Sequence, residues 1–142
     1  MSTTMAENSP TPPKAMNITL WLVQILLAVM FGMAGAMKVM TPIDALAQQM
    51  GWPGTVPEPL VRFIGVSELA GAFGLILPSL TRILPSLTSL ASAGLVVVMV
   101  LAAAFHVSRG EIQALPINFI LGGLAAFVAW GRTKKAPIHA RS

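Results

Sequence analysis

Four long apolar stretches run along this chain, approximately from Asn17 to Met40, Leu60 to Leu77, Pro85 to Phe105 and Leu115 to Trp130. A helix needs about 20 apolar residues, with a range of about 17–25, to cross a bilayer's hydrocarbon core. The first three stretches meet that length and the fourth is marginal. The pattern predicts an all-α, polytopic membrane protein folded as a four-transmembrane-helix bundle. Between the first two spans lies a segment from Thr41 to Pro59. Its first half, Pro42 to Met50, predicts a short interfacial helix that Gly51-Trp52-Pro53-Gly54 and Pro57-Glu58-Pro59 then break. Trp52 suits the aromatic belt at headgroup level. Residues 1–16 begin rich in Ser, Thr and Pro and are expected to be a disordered cytoplasmic segment. Residues 17–131 form the transmembrane domain and 132–142 a basic cytoplasmic tail.

The few polar positions inside the spans are the informative ones. Glu68 stands within Phe63 to Leu77, which otherwise reads as membrane span. A carboxylate at the centre of such a helix costs roughly 2.5–3.5 kcal/mol of insertion free energy. Glu68 is off-centre and so less costly, yet intramembrane carboxylates usually face the protein interior and mark function. Lys38, His106 and Asn118 are the matching isolated polar residues of the other three spans, each toward the same end. Helical spacing puts Glu68 on a face with Val61, Gly65, Ala72 and Leu75, and Lys38 near Ala28, Phe31 and Gly35. His106 lines up with Met99, Ala102 and Ala103, and Asn118 with Gly122 and Ala125. Small residues mark helix contacts in membranes because they let backbones approach closely. All four polar groups are therefore expected to face the bundle interior and to bind a ligand.

Their chemistry suggests roles. Glu68 is the candidate proton acceptor and His106 the candidate relay toward the membrane surface. Asn118 can orient a carbonyl by hydrogen bonding. Such a pocket suits a quinone or another lipophilic carbonyl compound. Glu68 and His106 are two candidate metal ligands where a site usually takes three or four, so no metal is expected. The competing reading makes the cluster structural glue, with interhelical polar contacts worth about 0.6–2 kcal/mol. Lys38 and His106 would then snorkel to the interface. Gln24, deeper in the first span, reads as an interhelical hydrogen bond.

Composition agrees with a membrane protein. Only 10% of the 142 residues are charged, against about 25% in soluble domains. The net charge of +4 could suggest nucleic acid, but Arg132, Lys134, Lys135 and Arg141 cluster after the last span. That clustering reads as a topological anchor. With the N-terminus in the cytoplasm, the inner side holds these four together with Lys14 and Arg82, and both termini are cytoplasmic. The basic tail could touch anionic headgroups of the bilayer. The absence of cysteine removes disulfides, thiolate metal sites and dithiol redox chemistry within the chain. Phosphate-loop, dinucleotide, HExxH and nucleophile-elbow motifs are absent as well. The Met residues read as packing. Ala34-Gly35-Ala36 resembles a signal cleavage site, but the apolar region before it is too long. Ile76 to Arg82 and Ile83 to Ser89 form a tandem seven-residue duplication, read as a tolerated insertion at a connection.

From Trp21 to Trp130 the chain resembles the DoxX-like family of small bacterial four-helix membrane proteins. The residues that carry the likeness are Phe31-Gly32-Met33-Ala34-Gly35-Ala36-Met37-Lys38 and Phe63 to Leu77, with its glycine-bracketed Glu68. Met99 and Ala103 leading to His106, and then Pro116, Asn118 and Leu121, continue it. The resemblance implies a bundle in the bacterial inner membrane, with Lys38, Glu68 and His106 on the family's recurring polar positions. The family's name comes from a subunit of a thiosulfate:quinone oxidoreductase, and other members are linked to oxidative-stress assemblies. It therefore implies an oxidoreductase component that works with a quinone, a partner subunit or a second copy of itself. A non-catalytic assembly subunit is the alternative. Family membership transfers fold better than reaction.

Overall fold

The computed structural model describes residues 13–141. The expected disorder of the N-terminal segment falls largely on residues outside that range, but the helix begins at Lys14, so residues 14–16 are helical. Five α-helices follow one another: α1 (Lys14–Met40), α2 (Ile43–Met50), α3 (Glu58–Thr81), α4 (Ser86–Ser108) and α5 (Leu115–Trp130). No strand occurs among the described residues. The all-α bundle expected from the apolar pattern is the fold observed. Short turns of 3₁₀-helix, Trp52–Thr55 and Ile112–Ala114, precede α3 and α5, and a π-turn, Gly131–Lys135, follows α5. These flanking turns lengthen the fourth span to Ile112–Lys135, 24 residues, so the stretch that looks marginal in sequence is long enough to cross.

Proline marks every helix start. Pro13, Pro42, Pro57 and Pro85 are the residues immediately before α1, α2, α3 and α4, and Pro59 and Pro116 lie in the first turns of α3 and α5. The first amides of a helix have no internal partner, so proline's missing N–H costs nothing there. Pro78 is different, because it lies inside α3. The two copies of Ile-Leu-Pro-Ser-Leu-Thr thus adopt different structures. The first, Ile76 to Thr81, is the end of α3, whereas the second, Ile83 to Thr88, makes the turn and opens α4. Only part of the duplication lies in the connection, and it is not a loop insertion. Ser79 of the first copy and Thr88 of the second share a buried hydrogen bond of 2.7 Å. Arg82 and Leu84, at φ 59 and 47, hold the intervening turn in left-handed backbone.

Helices α1 and α3 pack along a glycine crossing. A methyl group on Gly35 would lie 2.7 Å from the Gly65 carbonyl oxygen, and one on Gly65 would lie 2.8 Å from Lys38 Cβ. Helices α3 and α4 meet where Gly71 accepts Leu95 and Gly74 accepts Ala91. Gly122 lies against Met99 where α5 meets α4, and Gly131 against Leu20 where its end meets α1. Lipid tails are as apolar as leucine, so close backbone packing replaces the hydrophobic effect between helices. The large side chains that project outward, among them Leu22, Phe73, Leu90, Val100 and Phe119, give the bundle its lipid-facing surface.

Arg132 does not join the tail with which its sequence position groups it. The π-turn carries its side chain into the bundle, where only 5% of the residue is exposed. Its Nε donates to Gln24 Oε1 at 2.7 Å, and Nη1 donates to Asn17 Oδ1 and the Ala136 carbonyl. Gln24 Nε2 in turn donates to the Leu75 carbonyl at 2.6 Å, the interhelical role its sequence position suggests. This network closes the end of the bundle that holds both described termini. Arg82 Nε and its carbonyl bond to the backbone of His139 and Arg141, so the tail folds back across the α3–α4 turn.

Candidate functional site

At the opposite end the helices part around a cavity of about 540 Å³. The four polar residues singled out from sequence all line it. Lys38 comes from α1, Glu68 from α3, His106 from α4 and Asn118 from α5. The Gly35–Gly65 crossing explains the first two. Each glycine lies three residues before its polar partner, so the close approach of the backbones brings the side chains together. Lys38 Nζ and Glu68 Oε1 are 2.9 Å apart, with side chains 11% and 4% exposed. Lys38 does not snorkel away from the bundle. Burial removes most of the water that would otherwise solvate either charge, so each depends on the other.

Arg62 closes the end of α1 beside this pair. Its Nη1 donates to the carbonyls of Lys38 and Thr41, at 2.9 and 2.7 Å, and its Nη2 pairs with Glu58. The last carbonyls of a helix lack internal partners, and the guanidinium supplies them. Arg62 therefore fixes the backbone from which Lys38 reaches Glu68.

His106 and Asn118 enter the cavity without bonding to the ion pair or to each other. His106 Nδ1 lies 3.4 Å from Glu111 Oε2, within ion-pair range but without hydrogen-bond alignment. Asn118 Nδ2 is buried and has no hydrogen-bond partner among the described residues. Both therefore carry hydrogen-bonding capacity that the described residues leave unused. Glu111 stands in the α4–α5 connection, where the hydrogen bond from Arg109 is the main cause holding its carboxyl below the usual carboxylate range. The charges of Arg109 and His106 add to this. Arg109 also donates to Thr55 Oγ1 at 2.9 Å, tying that connection to the segment before α3.

Sequence reading missed two parts of the cavity. Trp52, assigned to the headgroup belt, lines it and stacks edge-on against Phe105 at 5.9 Å between ring centroids. Together with Val56 it forms a cap over the end of the bundle. Of the apolar walls, helical spacing places Phe31 and Met99 on the inward faces of Lys38 and His106, but it does not single out Ile64 or Val98, which also line the cavity. Ligand sites are commonly concave and mostly apolar with a few convergent polar groups, and this cavity fits that description.

The fold and site define a four-span membrane protein with an apolar cavity that is polar at one end. The chain belongs to the DoxX-like family, whose model matches residues 22–128. That range takes in Lys38, Glu68, His106 and Asn118. Comparisons with curated proteins and with solved structures gave no match.

Proposed function

We propose that this DoxX-like protein binds a lipophilic carbonyl compound of the quinone class in the cavity and serves as a membrane redox component. The observation that carries the reading is the convergence of Lys38, Glu68, His106 and Asn118 on one largely apolar cavity. Asn118 offers an unused amide to a carbonyl oxygen, and the Lys38–Glu68 pair offers both a proton donor and a proton acceptor. His106 stands between the cavity and Glu111, which is 30% exposed at the side chain, and so gives protons a route to the surface. Reducing a quinone takes two electrons and two protons. With no cysteine in the chain, the electrons come from a partner subunit or a bound redox group. The setting is the bacterial inner membrane, with both termini cytoplasmic.

Mass spectrometry of small molecules retained in gentle detergent tests the reading. Wild type is compared with Asn118→Leu and with the charge-free double variant Lys38→Met/Glu68→Gln. A quinone present in wild type and lost from both variants, with helical circular dichroism unchanged, is the expected result. Equal retention in all three, or no ligand in any, overturns it. The second reading, an assembly subunit with a structural polar cluster, draws on the mutual satisfaction of Lys38 and Glu68. It expects the variants to change stability alone.

A further inference from the structure

The polar end of the cavity says what it holds, and its side walls say how that molecule arrives. The contacts between α3 and α4 run along a regular seam. Gly74 meets Ala91 and, a turn further on, Gly71 meets Leu95. Continuing each stripe by three or four residues gives Ser67, Ile64 and Leu60 on α3, and Val98, Ala102 and Phe105 on α4. All six line the cavity. The seam is therefore closed toward the Arg82 turn and parted toward the other end. Its edges face outward. Among the lining residues, Leu60, Phe63 and Leu101 on this side are 44%, 68% and 64% exposed, and Ile117 on α5, at 44%, is the fourth exposed one. Above the seam, Trp52 packs on Phe105, and the bond from Arg109 to Thr55 ties the cap down on the side that meets water.

We infer that the cavity opens sideways into the bilayer through the parted α3–α4 seam. On this account it takes a membrane-dissolved amphiphile whose polar head reaches Lys38, Glu68 and Asn118 while its apolar chain lies in the seam. This rests on the lipophilic-carbonyl reading and adds to it the route and the chain. An apolar mouth flanked by Phe63 and Leu101 fits a chain that never leaves hydrocarbon. The four polar groups lie at the capped end, where a head near the membrane surface belongs.

The cysteine-free chain allows a direct test. The pairs Ser67→Cys/Val98→Cys and Ala34→Cys/Ile117→Cys are each joined by a short bifunctional methanethiosulfonate, which a reductant releases. The first pair locks the α3–α4 seam and the second the α1–α5 side. Uptake of an isotope-labelled benzoquinone with a long isoprenoid chain is then followed from phosphatidylcholine vesicles. Locking α3–α4 should slow uptake by about tenfold or more relative to the α1–α5 lock, an effect reversed by reduction. Slowing by the α1–α5 lock alone, or by neither, overturns the route.

A second readout needs no ligand. A spin label on Ala102→Cys should relax faster with dissolved oxygen, which partitions into the bilayer, than with a water-soluble nickel chelate. Preferential access of the chelate means that the cavity opens to water and overturns the lateral mouth. If the oxygen result holds but the unlocked protein takes up no quinone, the lateral mouth stands and the quinone-class ligand is wrong.

Discussion

Lys38 and Glu68 are each acceptable in the bundle because the other is present. Removing one partner of a buried pair leaves a charge with neither water nor counter-ion, at a cost of roughly 3–5 kcal/mol. Glu68→Gln and Lys38→Met are each expected to lower stability on that scale. Lys38→Met/Glu68→Leu should lose far less than the sum of the two. Unfolding by sodium dodecyl sulfate in mixed micelles measures all three, and additive losses would show that the pair contributes no coupling. Glu111 gives a residue-scale expectation that depends on pH. Its carboxyl is held low first by the hydrogen bond from Arg109, so this contribution to stability is complete above the ordinary glutamate pKa of about 4.3. It is lost as pH falls through the lowered value. Arg109→Gln should move the titration of Glu111 upward, toward the ordinary range. Carbon-13 NMR of the labelled carboxyl reads that shift, and an unmoved titration would remove Arg109 as its cause.

Among the elements, glycine divides into two kinds by what a methyl group would touch. Gly65 stands at the α1–α3 crossing, where an added Cβ would come within 2.9 Å of the Gly35 carbonyl oxygen. Gly94, on the outer side of α4, has nothing within 4 Å. Gly65→Ala is therefore expected to destabilise by about 1–3 kcal/mol, the usual cost of overpacking. Gly94→Ala should be neutral or stabilising by up to about 1 kcal/mol through helix propensity. Thermal unfolding in detergent compares them, and equal effects would refute the crossing as the point of closest packing. Gly65→Ala should also disturb the Lys38–Glu68 pair, since the same crossing sets their separation. The tandem duplication belongs to this scale too. Pro78 continues a helix and Pro85 starts one, within identical local sequence. Proline tolerates either position, and packing against the neighbouring helices selects between them.

For the whole molecule, the distribution of charge is what the proposed orientation rests on. Lys14, Arg82, Lys134 and Lys135 lie at the end of the bundle that holds the described termini, and the cavity cap lies at the other. Under the positive-inside rule, the proposed orientation has the tail in the cytoplasm and the cap outside. Single cysteines at Thr55 and at Lys134, in a chain that has none of its own, should react oppositely with a membrane-impermeant maleimide applied to intact cells. Labelling at Thr55 alone is the expected outcome, and labelling at Lys134 alone would invert the topology. In the proposed orientation the cavity would lie in the outer half of the membrane and the buried Arg132–Gln24 network in the inner half.

The sequence by itself determined the number of spans, their approximate limits and the shared end of the bundle at which Lys38, Glu68, His106 and Asn118 lie. Each follows from hydropathy and helical rise, which are local quantities. The cost of a lone carboxylate in hydrocarbon was enough to mark Glu68 without any knowledge of its neighbours. Only the tertiary structure decided which polar groups touch. Lys38 finds Glu68 because two glycines let α1 and α3 cross closely, whereas His106 turns toward Glu111 and the Asn118 amide meets no partner among the described residues. It also decided that Arg132 leaves the basic tail for the bundle, through a π-turn that no composition signals. The cavity was equally hidden, because it is a property of how two helices diverge. A single chain's hydrophobic pattern does not distinguish an apolar residue that faces lipid from one that faces an empty space between helices.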